Sequence, residues 1–210
     1  MPDLRLPRFG RLTRLRAVGL GLAAAVGLNG SAAAHPHVWV TNGLVLVVEG
    51  GAVTRLRHAW TFDEFFSESI IGQYDADGSD TLTGDEITAV HDGAFVSVAD
   101  FGYFTRVRIG AADVAFGPVE AFTASVENGV LVYQFDLPLV EPIAPGTEVT
   151  IGVYDVEYYV EFMPTELGVT IEGAAEGACD TDLFEDEANA IYFGMVAPFT
   201  VRVTCAAEGS

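Results

Sequence analysis

The chain has 210 residues, half of them hydrophobic and including 14 Phe and 7 Tyr, with 30 acidic against 10 basic residues and a formal charge of −20. That apolar content excludes an acidic disordered chain and is enough to build one folded domain. The charge argues against nucleic acid and anionic membrane surfaces as partners; it suits cations or a basic protein, the competing reading being a solubility adaptation to a salty medium.

The first segment reads as a leader. Arg5, Arg8, Arg11, Arg14 and Arg16 precede an apolar run from Ala17 to Leu28, and a stretch of small residues ends at Ala34. This order predicts a secretory signal peptide over residues 1–34 and a periplasmic location. The apolar run falls short of the roughly 20 residues that span a bilayer, so no stable membrane insertion is expected after processing. Cleavage leaves Arg55, Arg57, Arg106, Arg108 and Arg202 against 29 acids, a formal charge of −24 in a protein without lysine.

Residues 35–210 are predicted to form a single domain. Val38 to Phe62 has the pattern of a hairpin turning at Gly50-Gly51, and its returning strand places Leu56, His58, Trp60 and Phe62 on one face with Arg55 and Arg57 on the other. His58 therefore points toward a core. Thr61 and Glu64 form a capping-box pattern, after which Phe65, Phe66, Ile70 and Tyr74 recur at helical spacing. A second capping box, Thr83 to Glu86, opens another helical pattern through Ile87, Val90, Ala94 and Val98, with Asp92-Gly93 as a break within it.

Beyond Gly102 the period becomes two. Leu131, Tyr133, Phe135, Leu137 and Leu139 alternate most cleanly, and further strands are predicted at 103–109, 149–153, 157–162, 169–172 and 199–205. The expected fold is α+β: an antiparallel β-sandwich-like sheet with a helix–acidic loop–helix unit inserted at about residues 61–98.

Between the two helical patterns lies Asp75 to Glu86. It places Asp75, Asp77, Ser79, the Thr81 carbonyl, Thr83 and Glu86 at loop positions 1, 3, 5, 7, 9 and 12, the register in which an EF-hand wraps hard oxygens around Ca²⁺. Position 6 requires a sharp turn and is normally glycine, whereas this chain has Asp80. Aspartate tolerates a left-handed backbone at a cost of about 1 kcal/mol. The expectation is a weakened EF-hand-like calcium site, with a dissociation constant of roughly 10⁻⁴ to 10⁻³ M. The competing reading is an acidic surface turn between helices.

Cleavage after Ala34 would make His35 the first residue, followed by Pro36 and His37. An amine and two imidazoles can hold Zn²⁺ or Ni²⁺, with His58, Asp155 or Glu157 as candidates to complete the site. For His58 the competing reading is a hydrogen-bonded core histidine, and His91 is expected at the surface. Cys179 and Cys205 are the only cysteines, and an exported pair is expected to form a disulfide worth roughly 3 kcal/mol, the alternative being two buried thiols.

The segments Ala34-His-Pro-His-Val-Trp-Val, Arg57-His-Ala-Trp-Thr-Phe-Asp-Glu-Phe-Phe-Ser, the acidic loop and Val153-Tyr-Asp-Val-Glu-Tyr-Tyr-Val together resemble an uncharacterised family described as periplasmic components of an ABC-type transport system. The resemblance implies an exported protein with an Ala-His-Pro-His start and an acidic loop, linked to divalent-metal uptake through neighbouring transporter genes, with a divalent cation and an inner-membrane metal transporter as the expected partners. The chain departs from that family at Asp80, where glycine is usual. Three function classes follow: a periplasmic metal-handling accessory protein, a structural module docking on a transporter without transition-metal binding, and an enzyme. The last is disfavoured because Gly-x-Ser-x-Gly, His-Glu-x-x-His and phosphate-binding glycine motifs are all missing from the sequence.

Overall fold

Eleven strands arranged in two sheets dominate the computed structural model, which describes residues 36–206. The predicted signal segment and His35 lie outside the described residues. The chain opens with the predicted hairpin, β1 (Val38–Glu49) and β2 (Ala52–Phe62), paired antiparallel with Leu44 opposite His58. Then come α1 (Glu64–Tyr74), the acidic loop and α2 (Gly84–Val90), which runs on through a π-helical turn at His91–Phe95 into a 3₁₀ segment at Val96–Phe104. The break expected at Asp92-Gly93 is this π turn.

The remaining strands are β3 (Thr105–Ile109), β4 (Ala112–Asp113), β5 (Glu120–Glu127), β6 (Val130–Ile143), β7 (Val149–Val153), β8 (Val160–Pro164), β9 (Thr170–Glu172), β10 (Cys179–Glu185) and β11 (Phe199–Cys205). One sheet runs β5-β6-β2-β1-β8 with β9 also on β1, and the other runs β10-β11-β7-β3-β4. The first is mixed, which corrects the expectation of an antiparallel fold: β8 and β9 both pair parallel to β1. Nothing in the local alternation of those short strands encodes their direction.

One face of the mixed sheet carries two cores. At one end Leu44, Leu46, Leu56, Leu137 and Leu139 pack with Val107, Val149, Ile151, Val201 and Val203 of the other sheet. At the opposite end Val38, Val40, Trp60, Phe62, Tyr133 and Phe135 pack with Ile70, Leu82, Val90 and Phe95 of the helical unit. Residues of equal parity along β1, β2 and β6 thus meet a sheet first and helices afterwards. The row where the cover changes is Leu44, His58 and Phe135, with Asn42 two residues along β1 on the same face. Here His58 is fully buried, 3.2 Å from Asn42 Oδ1 through Nδ1, 3.5 Å from Thr105 Oγ1 through Nε2, and stacked on Phe135.

The opposite face of the sheet carries an ion network. Arg57 Nε donates to Asp136 Oδ1 at 2.8 Å and its terminal nitrogen reaches Glu172 Oε2 at 2.6 Å, while Arg55 pairs with Glu49 at 2.6 Å. Asp136 holds the Arg57 guanidinium in its charged form, raising its already high pKa. In the second sheet Cys179 and Cys205 face each other across β10 and β11 and are joined by the expected disulfide. Among the described residues no helix is long and apolar enough to cross a membrane.

Candidate metal site

The helix that leads into the acidic loop starts two residues later than the capping-box pattern predicts. Strand β2 continues to Phe62, so Thr61 is a strand residue and Asp63 is the N-cap: its Oδ1 accepts from Phe65 N at 2.9 Å and Phe66 N at 3.0 Å. Its Oδ2 accepts from Trp39 N at 2.9 Å, which fastens the helix start to the beginning of β1. Ser67, fully buried, accepts from Leu131 N at 2.9 Å and docks α1 on β6. Sequence reasoning overlooked both residues. Ser67 was detectable in principle, because it shares a helical face with Ile70 and Tyr74.

Past Tyr74 the loop folds around its own backbone N–H groups. Asp75 Oδ1 accepts from Ser79 N at 3.1 Å and Asp75 Oδ2 from Asp80 N at 2.8 Å, while Asp77 Oδ1 accepts from Ser79 N at 3.0 Å. Glu86 closes the loop from the far end: Oε1 accepts from Ala76 N at 2.8 Å and Oε2 from Thr83 N at 3.1 Å. The second capping box therefore exists, with Glu86 reaching back to Thr83 as its pattern predicts. Leu82 is buried in the aromatic core and anchors the middle of the loop. Asp80 has φ +57°, the left-handed conformation that position 6 demands.

As a result, ligand atoms of Asp75, Asp77 and Glu86 lie within 4.8 Å of one another. These are positions 1, 3 and 12 of the register. Ser79 Oγ lies 2.9 Å from Thr81 Oγ1 and donates to the Thr81 carbonyl at 3.4 Å, which gathers the oxygens of positions 5 and 7. Thr83 Oγ1 donates to Glu86 Oε2 at 3.3 Å. Partial burial pulls the Asp75 carboxyl upward, but the N–H groups of Asp80, Ser79 and Gly78 outweigh it and hold Asp75 below the ordinary carboxylate range. The Thr83 and Ala76 N–H groups do the same for Glu86. Both side chains are thus anionic at neutral pH, as a hard cation requires.

The transition-metal candidates are placed differently. Among the described residues the three loop carboxylates form the one group of three or more His, Cys, Asp or Glu with converging ligand atoms, and His37, His58 and Asp155 are not in it. His58 sits in the core, where burial lowers its pKa to about 3. Asp155 is 6 % exposed and accepts from the backbone N–H groups of Glu157, Tyr159 and Val160 at 3.0, 3.0 and 3.2 Å, which makes it the keystone of the turn before β8. Glu157 belongs to that turn and lies outside the strand predicted for it. His37 is exposed, donates its N–H to Tyr159 O at 2.9 Å and has its ring 4.7 Å from that of Tyr159. His91 is partly exposed and paired with Asp92 at 2.7 Å.

Fold and site together define a two-sheet β protein whose central sheet is half covered by a helix–acidic loop–helix unit. The chain belongs to the family described as "Protein of unknown function (DUF1007)", whose model matches residues 20–196. It is also 21% identical over 136 residues to the "Uncharacterized 15.5 kDa protein in trpE 3'region" of Spirochaeta aurantia, a match covering 64% of this chain and 97% of that protein.

Proposed function

We propose that the protein is an exported periplasmic accessory protein of divalent-metal handling, and that its Asp75–Glu86 loop is an EF-hand-like site for one calcium ion. The observation that carries this reading is the convergence of Asp75, Asp77 and Glu86, the carboxylates at positions 1, 3 and 12, with Asp80 already in the turn conformation of position 6. The disulfide accords with an oxidising compartment. The reading assigns binding, not catalysis, to the site. Isothermal titration of chelator-stripped protein with calcium chloride tests it. We expect one site with a dissociation constant of roughly 10⁻⁴ to 10⁻³ M, weakened at least tenfold in Glu86→Gln, which loses a charged bidentate ligand. Absence of heat at millimolar calcium, or equal binding by Glu86→Gln, sinks the assignment.

A second reading, a module that docks on a membrane transporter without holding Zn²⁺ or Ni²⁺, is favoured by two observations. The Asp155 carboxylate and the His58 ring are engaged by the protein's own groups, and Phe193 and Met195 project from one loop at 90% and 68% exposure.

A further inference from the structure

The acidic loop is clamped at a point that contains none of its ligands. Tyr74 is the last residue of α1, and the next residue, Asp75, is the first loop carboxylate. The Tyr74 ring is partly buried against the aromatic core and reaches across to the π turn that continues α2. There it rests on Gly93. A Cβ built on Gly93 would collide with the Tyr74 hydroxyl and lie 3.1 Å from both Cε1 and Cζ of the ring.

Gly93 is not among the glycines with positive φ, so its backbone conformation is open to any residue. Helix propensity at such a position favours alanine over glycine. What glycine alone provides here is space for Tyr74. The contact therefore joins the two arms of the loop: α1, which ends at Asp75, and the α2–π segment, whose first turn holds Glu86. Tyrosine has two rotatable side-chain angles, and its ring is wedged between core and turn. Bulk added at position 93 must be accommodated by a shift of the Tyr74 ring or of the turn that carries Gly93.

We propose that Gly93 and Tyr74 are positioning residues for the cation site, setting the separation of Asp75 from Glu86 through the Tyr74 ring. This inference rests on the reading of the loop as a calcium site. The test is calcium titration of chelator-stripped wild type, Gly93→Ala, Tyr74→Phe and the double variant, with far-UV circular dichroism and tryptophan emission recorded on each without calcium. Gly93→Ala should bind calcium at least fivefold more weakly than wild type. Adding Tyr74→Phe removes the most crowded atom and should recover half or more of that loss on a logarithmic scale, a rescue that general destabilisation would not produce. Wild-type affinity in folded Gly93→Ala, or no recovery in the double variant, overturns the inference and leaves the calcium site standing. Absence of binding by wild type removes both. Should Gly93→Ala fail to fold, Tyr74→Leu, which deletes the spacer without adding bulk, carries the same expected loss, and unchanged affinity there overturns the inference equally.

Discussion

His58 gives the fold a pH dependence whose size follows from its surroundings. Burial lowers its pKa from 6.5 to about 3, with the negative charge of Asp136 acting weakly in the opposite direction. Below pH 6.5 the unfolded chain takes up a proton at this ring, whereas the folded protein excludes it until about pH 3. Stability from this group is therefore complete above pH 6.5 and lost as the pH falls toward 3. Well inside that window the loss is about 1.4 kcal/mol per pH unit, and between pH 7 and pH 5 it amounts to about 2 kcal/mol. The assay is urea unfolding followed by tryptophan emission at pH 7, 6 and 5, in wild type and in His58→Gln, whose amide can still meet Asn42. Carboxylates contribute alike to both proteins, so the wild type should lose about 2 kcal/mol more than the variant over that range. Parallel losses would show that the ring is charged, or hydrated, inside the folded protein, and the account of the two-core boundary would fall with it.

Two further perturbations separate local strain from global support. Asp80 is held at φ +57°, so Asp80→Gly should raise stability in calcium-free urea unfolding by up to about 1 kcal/mol, the left-handed cost offset in part by the greater chain entropy of glycine. An unchanged or lower midpoint would mean that the aspartate side chain supports the turn. Replacing Cys179 and Cys205 together by alanine opens a loop of 26 residues and should lower stability by about 3.5 kcal/mol on the chain-entropy model, measured by the same unfolding curves. A loss below about 1 kcal/mol would show that pairing of β10 with β11 already restrains the unfolded chain.

The parts of this fold legible in the sequence are those whose signal is local. Alternation identifies the first hairpin, the long strand β6, and β7 and β11 to the residue, because each has an apolar face at every second position. Strands β5 and β10 escape that reading. Both lie at sheet edges with mostly exposed or half-exposed side chains; the alternation of Phe122, Ala124 and Val126 in β5 is short and cut off by the register shift between Glu120 and Thr123, and Cys179–Glu185 is mostly polar. The acidic cluster was legible for the same reason as the hairpin, since the converging carboxylates of Asp75, Asp77 and Glu86 lie within twelve consecutive residues. A site joining His37, His58 and Asp155 would need three distant segments to converge. Spacing carries no information on that, and the fold uses two of the three for its own hydrogen bonds.

The helical unit is an integral part of the domain and cannot be regarded as a detachable insertion. An appended loop motif would leave the sheet beneath it with a complete core of its own, yet Trp60, Tyr133 and Phe135 on the sheet are covered by Phe95 and by Tyr103 and Phe104 at the end of the segment that follows it. Leu82 of the loop and Val90 of α2 are buried in that same cluster. Removing the unit would uncover half of one sheet face, a loss of several large side chains at roughly 1.5–3 kcal/mol each, which exceeds the margin by which a domain of this size is stable. The loop carboxylates consequently inherit their positions from the aromatic core on both sides, through Tyr74 before them and through α2 after them. Affinity for a cation should respond to packing changes that touch no ligand.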